Sequence, residues 1–174
     1  MKIRSKVVAA ASAGLLAAGV TVLGAGVAHA AEPHPIRNAG SGLCLQPQGK
    51  SVDLFAPIEQ VGCDGTAAQR WTAQGFGGTN RWQFANEASH LCFDAFDGAF
   101  NNARLLQNQC APISNDQWKS SRSLPDLVTL MSRVGFRDTN FCVDVPGNDQ
   151  RPNVVLQLFQ CNNTDAQKWL VGFA

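Results

Sequence analysis

The stretch CNNTDAQKW, from Cys161 to Trp169, decides the fold because two other parts of the chain share its plan. CDGTAAQRW runs from Cys63 to Trp71, and CAPISNDQW runs from Cys110 to Trp118. In all three stretches the Trp follows the Cys by eight residues. The first and third copies end in Gln-x-Trp, whereas the second has Asp116 in place of the Gln. A pattern that recurs in this way predicts three copies of one structural unit.

The six Cys residues extend the same repeat. They form three pairs with separations of 19, 18 and 19 residues: Cys44 and Cys63, Cys92 and Cys110, Cys142 and Cys161. Eight residues before the first Cys of each pair stands a large apolar residue: Ile36, Phe84 and Val134. We therefore predict three repeats, at about residues 35–80, 81–127 and 128–174.

Each repeat has the pattern of short strands separated by turns. The segments around the first Cys share an apolar start, a polar turn and a second apolar run: IRNAGSGLCLQ, QFANEASHLCFDAF and VGFRDTNFCVDV. Apolar runs of this length bounded by Gly, Asn, Asp and Ser are typical of strands and turns. Three units of about fifty residues, none large enough for a core of its own, favour an all-β domain closed around a threefold axis.

The combination of Cys, apolar residue and Asp, followed by a second Cys and Gln-x-Trp, resembles the ricin-type lectin repeat. The resemblance covers about Pro35 to Phe173, with intact signatures at Gln69–Trp71 and Gln167–Trp169. It implies a β-trefoil with pseudo-threefold symmetry, in a family where many members bind galactosides or other sugars. Six Cys allow fifteen pairings, and the resemblance together with the repeat symmetry favours disulfides 44–63, 92–110 and 142–161. We expect Trp71 and Trp169 to be buried scaffold residues.

The resemblance also indicates which residues bind sugar. In the family an Asp lies two residues after the first Cys, an aromatic residue lies two before the second, and an Asn usually precedes Gln-x-Trp. The carboxylate binds hydroxyl groups, and the ring covers the apolar face of the sugar. The first repeat lacks all three, since it has Gln46, Val61 and Ala68 at these positions.

The third repeat is the predicted principal site. It has Asp144 and Phe159, and we expect Asn162 to add a hydrogen bond and Gln167 to hold the local geometry. Ala166 stands where the family has Asn. Two other interpretations remain open, because an Asp before Val-Pro-Gly-Asn can initiate a turn and Phe159 can be a core residue.

The second repeat has part of the same set. Asp94 and Asn115 match the family, but Asn108 stands at the stacking position. Asp116 replaces the Gln of the signature, and its shorter side chain is expected to orient its neighbours less well.

Residues 1–30 have the pattern of a secretory signal peptide. Lys2, Arg4 and Lys6 precede a long apolar run, and Ala28 and Ala30 form an A-x-A cleavage site. The alternative is a membrane anchor, but the run is mostly Ala and Gly. We therefore predict a secreted, extracellular domain at residues 31–174, without membrane insertion.

Composition narrows the partners and cofactors. Removing three basic residues from the 14 in the chain leaves 11 against 13 acidic residues, a net charge of −2. A nearly neutral chain without Lys/Arg clusters argues against nucleic acid. The closest Cys residues are 18 apart, so we expect disulfides rather than a metal site or another cofactor.

The sequence thus predicts a lectin-like protein whose partner is a carbohydrate, with weak binding of galactose- or xylose-type glycans. The alternative is a trefoil interaction or toxin-accessory protein that has lost sugar binding. An enzyme is disfavoured, because Asp94 and Asp144 lie in separate repeats and no nucleophile motif occurs.

Overall fold

The computed structural model describes residues 32–76, 79–111 and 114–172. The predicted signal peptide lies outside the described residues. No helix within these ranges is long and apolar enough to span a membrane. Their helical structure consists of five short 3₁₀ helices: Gln48–Lys50, Ala67–Gln69, Ser114–Asp116, Pro146–Asn148 and Asp165–Gln167.

Fifteen β-strands make up the rest of the regular structure in the described ranges. They are β1 His34–Asn38, β2 Cys44–Pro47, β3 Ile58–Val61, β4 Arg70–Gly75, β5 Arg81–Asn86, β6 Cys92–Asp94, β7 Ala103–Arg104, β8 Leu106–Asn108, β9 Trp118–Ser120, β10 Asp126–Val128, β11 Leu130–Val134, β12 Arg137–Asp144, β13 Val154–Val155, β14 Gln157–Gln160 and β15 Trp169–Val171. The prediction of an all-β domain is confirmed.

Antiparallel pairing closes a barrel from the first strand to the last. β1 pairs with β4, β4 with β5, β5 with β9 and β9 with β11. β10, which directly precedes β11, pairs with β15, and β15 pairs with β1. Ile36 of β1 therefore lies opposite Val171 of β15. The pairing therefore runs from β1 round to β15 and back to β1, with β10 and β11 together completing the circuit.

Each repeat adds a hairpin that carries its disulfide. The hairpins are β2–β3, β6–β8 and β12–β14. The three disulfides are the predicted ones: Cys44–Cys63, Cys92–Cys110 and Cys142–Cys161. In each hairpin the first Cys lies opposite the residue two before the second: Val61, Asn108 and Phe159. The three hairpins therefore share one register, as a β-trefoil requires.

The repeated Trp residues link the barrel to these hairpins. Trp71 is 2% exposed, and Trp118 and Trp169 are fully buried. Each indole Nε1 donates a hydrogen bond of 3.0 Å to the backbone oxygen just after the first Cys of its repeat: Leu45, Phe93 and Val143. The expected burial of Trp71 and Trp169 is confirmed. The Cys-to-Trp pattern recurs because the same junction is built three times.

The assignment of Val134 as the third-repeat counterpart of Ile36 and Phe84 is wrong. In the first repeat Arg37, seven positions before Cys44, lies opposite that Cys. In the third repeat Met131, eleven positions before Cys142, takes the equivalent place. The β11–β12 hairpin is therefore longer. The fully buried Leu130 occupies the core position, and Val134 is only half-buried.

Buried polar side chains join successive repeats. Asn38 Nδ2 donates to the backbone oxygen of Ala166 at 3.2 Å, and Asn86 Nδ2 donates to that of Ala68 at 2.8 Å. Arg133, 4% exposed, makes the third junction by donating to the side chain of Gln117, which lies one residue before Trp118. These bonds satisfy polar groups that burial would otherwise penalise.

Candidate functional site

A polar pocket of about 300 Å³ lies in the third repeat, against the β12–β14 hairpin. Its lining includes Asp144, Gln157, Phe159, Asn162 and Thr164. Three of the residues predicted for the third site therefore share one pocket, and Gln157 joins them.

Strand register explains how the side chains meet. Asp144 lies opposite Gln157, and Cys142 lies opposite Phe159. Because side chains two apart on a strand share a face, Gln157 and Phe159 point to the same side of the hairpin. Phe159 is half-buried on the pocket wall, so part of its ring remains open to a ligand.

Asp144 is held by two amide groups. It is 4% exposed, and its Oδ1 accepts a hydrogen bond from Gln157 Nε2 at 2.8 Å. Its Oδ2 accepts one from Gln167 Nε2 at 3.0 Å. Burial raises the pKa of Asp144, and these two hydrogen bonds oppose the rise. A carboxylate has about four acceptor sites, so each oxygen keeps a lone pair for a ligand.

Gln167 is the residue that the sequence predicts to hold the local geometry. It is fully buried; its Oε1 accepts from Asn162 N at 2.8 Å, and its Nε2 also donates to the backbone oxygen of Gln160 at 3.1 Å. Its hydrogen bonds are therefore all made within the protein.

Asn162 is exposed, and its Oδ1 accepts hydrogen bonds from Thr164 N at 3.1 Å and Thr164 Oγ1 at 2.7 Å. Its Nδ2 has no hydrogen-bond partner in the described part of the chain. This nitrogen remains available to a ligand in the pocket.

The second repeat brings its predicted residues together differently. Asn108 Nδ2 donates to Asp94 Oδ2 at 3.3 Å, so the residue at the stacking position binds the carboxylate instead of offering a ring. Burial raises the pKa of Asp94 to about 6, the Asn108 bond opposes the rise, and nearby Asp116 adds to it. The backbone oxygen of Asn115 accepts from Ala95 N at 3.0 Å.

In the first repeat the carboxylate and the amide have exchanged places relative to the third. Gln46 stands where the third repeat has Asp144, and Glu59 stands where it has Gln157. Gln46 Nε2 donates to Glu59 Oε1 at 3.1 Å, and Gln69 Nε2 donates to Gln46 Oε1 at 3.2 Å. Val61 stands opposite Cys44, where the third repeat has Phe159. This repeat therefore has an acid but no ring opposite its Cys.

A second cavity, of about 200 Å³, has walls that are mainly apolar. It is lined by Trp71, Trp82, Leu124 and Pro125, with Glu32 and His34 among the other residues. Of these two cavities, the third-repeat pocket suits a ligand rich in hydroxyl groups better, because it combines a carboxylate, amides and a ring. No cluster of three or more metal-ligating side chains occurs in the described ranges.

Residues 32–133 match the family described as "Ricin-type beta-trefoil lectin domain". The chain belongs to this family. The match covers the first two repeats and the start of the third, so the third-repeat pocket of this ricin-type domain lies beyond it. No curated protein is similar enough in sequence to count as a match.

Several solved structures have the same fold as this ricin-type domain. It superposes on the designed threefold symmetric protein ThreeFoil with a TM-score of 0.71 and 17% identity, covering 79% of this chain and 95% of that one. It matches the ricin B-like lectin of Macrolepiota procera, solved with lactose, with a TM-score of 0.65 and 20% identity, covering 80% and 94%. An exo-beta-1,3-galactanase from Clostridium thermocellum gives a TM-score of 0.69 and 22% identity, covering 79% of this chain but 29% of the enzyme.

Proposed function

We propose that this ricin-type domain binds carbohydrate and holds one sugar ring in the polar pocket of the third repeat. The observation that carries the proposal is the β12–β14 register, which brings the Asp144 carboxylate, the Gln157 amide and the Phe159 ring to one pocket. The remaining lone pairs of Asp144 accept hydrogen bonds from neighbouring hydroxyls. Phe159 packs against the C–H face of the ring.

Galactose- or xylose-type glycans are the proposed ligands, and the binding is weak. The pocket is small, and Ala166 cannot supply the hydrogen bonds of an Asn side chain. A dissociation constant in the millimolar range corresponds to about −4 kcal/mol. Losing one hydrogen bond to a charged group, worth about 1.5–3 kcal/mol, removes most of that affinity.

A glycan array on residues 31–174, with competition by free galactose, xylose and lactose, tests this proposal. Specific signals that free sugar competes away are expected. Asp144→Asn should abolish them, because the neutral amide loses the charge and one acceptor. Asp94→Asn is the matched control and should leave most of the signal, since the second repeat has Asn108 and no ring at the stacking position. If the two variants exchange these outcomes, the second repeat is the site.

The alternative is a trefoil that contacts a protein partner and no longer binds sugar. The first and second repeats favour it, since neither has an aromatic side chain opposite its first Cys. An array that stays silent for a well-folded sample supports this alternative.

We propose binding without catalysis. Glycoside hydrolysis uses two carboxylates about 5–9.5 Å apart, and the pocket of the third repeat is lined by one acidic side chain, Asp144. Turnover of any glycoside by a purified sample would contradict this assignment.

We also propose that the protein is secreted. Three disulfides in a lectin fold are consistent with an extracellular protein, since such bonds persist in oxidising compartments. Detection of the cleaved chain in culture medium, with Ala31 at its N-terminus, tests this proposal.

A further inference from the structure

Two buried acids of the second repeat occupy positions that a hydrogen bond links in the other repeats. In the third repeat Gln167 Nε2 donates to Asp144 Oδ2 at 3.0 Å, and the first repeat makes the same bond between two glutamines at 3.2 Å. The second repeat has Asp116 and Asp94 at these positions, which are 0% and 3% exposed. Neither carboxylate has an amide hydrogen to offer the other.

The contacts of Asp116 show which hydrogen bond of the other repeats the second repeat lacks. Its Oδ2 accepts hydrogen bonds from Ala111 N at 2.9 Å and Gln83 Nε2 at 2.6 Å. It thereby performs the task of Gln167 Oε1, which accepts from the backbone N just after the second Cys. Asp116 Oδ1 is therefore the atom that replaces the donating amide nitrogen. Both this oxygen and Asp94 Oδ1 are buried without a hydrogen-bond partner among the described residues.

We propose that Asp94 and Asp116 hold one proton between them, and that this proton links the two positions as the Gln amide does elsewhere. With one proton, one carboxyl group can donate an O–H to the unpaired oxygen of the other, and a single negative charge remains. Without it, two buried carboxylates repel each other and two oxygens stay unpaired. The second repeat thus contains a proton-sensitive junction between β6 and the Ser114–Asp116 helix.

The surrounding charges do not neutralise this pair. Arg81, Lys119 and Arg133, on the neighbouring strands β5, β9 and β11, all pair with Asp138. The remaining acids and cations nearby pair with each other, Glu87 with Arg70 and Asp97 with Arg104. His90 precedes β6 and makes no ion pair with either acid. The groups that donate hydrogen bonds to Asp94 and Asp116 are uncharged: Asn108, Gln83, and the backbone N–H groups of Ala111 and of Asp116 itself.

The sign of the pH effect follows from burial. The pKa of Asp94 in the folded protein rises from 3.8 to about 6, and burial also raises the pKa of Asp116. The folded state therefore binds the proton more tightly than the unfolded chain does. Stability from this pair is full below the unfolded value of 3.8, falls as the pH rises between 3.8 and about 6, and stays low above that.

Thermal melting from pH 4.5 to pH 8 tests the proposal with no sugar present, so it stands or falls independently of the proposed function. Wild type should lose about 5 °C of melting temperature between pH 5 and pH 7.5. Asp116→Gln restores the amide donor and should remove most of this loss. Gln167→Asp places the same acid pair in the third repeat and should steepen the loss. Asp97→Asn, an exposed acid of the second repeat, is the control and should keep the wild-type slope.

Side-chain carboxyl ¹³C shifts measured by NMR on the wild type show the proton directly. We expect one carboxyl of the pair to titrate well above the ordinary Asp range. The proposal is overturned if both acids ionise below about pH 4.5, close to the ordinary value, or if Asp116→Gln keeps the wild-type slope. It is also overturned if Na⁺ or Ca²⁺ stabilises wild type but not Asp116→Gln at pH 7.5, because the pair would then be a cation site. If Asp116→Gln fails to fold, Gln167→Asp and the NMR titration still decide.

Discussion

Equivalent Asp residues in two repeats have different electrostatic surroundings. Asp144 receives two amide hydrogen bonds, whereas Asp94 receives one and has an unpaired buried oxygen. The difference arises at two positions, because the third repeat has Gln157 and Gln167 around its Asp whereas the second has Leu106 and Asp116. The neighbours of an Asp, more than its place in the repeat, decide whether its carboxylate is ready to bind a hydroxyl.

Sugar binding should weaken as the pH falls, because protonation removes the charge and an acceptor site from Asp144. Burial raises the pKa of this group, so the loss begins above the ordinary Asp range. Gln157→Leu removes one bond that favours the charged form and should shift the loss to higher pH. Titration calorimetry from pH 7.5 to pH 4.5 measures the effect, with the exposed Gln74→Leu as the control. Affinity that stays constant or rises on acidification contradicts the role given to Asp144.

Replacing Phe159 separates ring contact from packing. Phe159→Leu keeps an apolar side chain but removes the flat face, so affinity should fall about tenfold, as expected for the loss of about 1–1.5 kcal/mol of aromatic contact. The melting temperature should change little, because Phe159 is only half-buried. Phe136→Leu, at a position that is 66% exposed, is the control. A large loss of stability with unchanged affinity would make Phe159 a core residue.

At the scale of elements, the β12–β14 hairpin shows what the sequence predicts and what it does not. The nearly equal Cys spacings and the family resemblance predicted the disulfides and the position of Phe159, since these landmarks lie at fixed offsets from each other. The sequence did not predict Gln157, because its hydrogen bond to Asp144 depends on which residues lie opposite each other across two strands. Val134 was misplaced because the longer β11–β12 hairpin shifts the strand register.

The Trp-to-hairpin bond should carry substantial stability. Trp169→Phe leaves the backbone oxygen of Val143 without its indole donor, which costs about 1–3 kcal/mol for a buried group. Trp169→Ala also opens a cavity and should cost about 3–5 kcal/mol. Urea denaturation measures both values. Trp82→Phe is the control, since Trp82 is half-buried and bonds to the Ser120 side chain. If Trp169→Ala lost sugar binding but kept its stability, Trp169 would belong to the site.

For the whole molecule, the repeats share one backbone plan but differ in the polar chemistry built on it. The first repeat exchanges the acid and the amide, the second has two buried acids that each keep an unpaired oxygen, and the third forms the pocket. The same disulfide and the same Trp indole hydrogen bond stabilise the fold in each of the three repeats. The polar positions are therefore free to differ without loss of the architecture.

This symmetry predicts that a second sugar site can be transplanted. The triple variant Gln46→Asp, Glu59→Gln and Val61→Phe copies the third-repeat set into the first, where Gln69 already supplies the positioning amide. Calorimetry should show the stoichiometry rising from one to two, and surfaces carrying many glycans should bind more tightly through avidity. Wild type is the control. A folded triple variant that still binds one sugar would show that register alone does not make the site.

The pairing of β1 with β15 also bears on how the chain folds as it leaves the ribosome. Ile36 cannot pair with Val171 until β15 has been synthesised, so the barrel stays open until the final residues of the third repeat are present. The hairpins differ, because their disulfides join residues only 18 or 19 apart and each hairpin can form as soon as its own segment emerges. Closing the longest loop carries the largest entropic cost and comes last. A nascent chain stalled before β15 is therefore expected to expose its apolar core to aggregation and to chaperones.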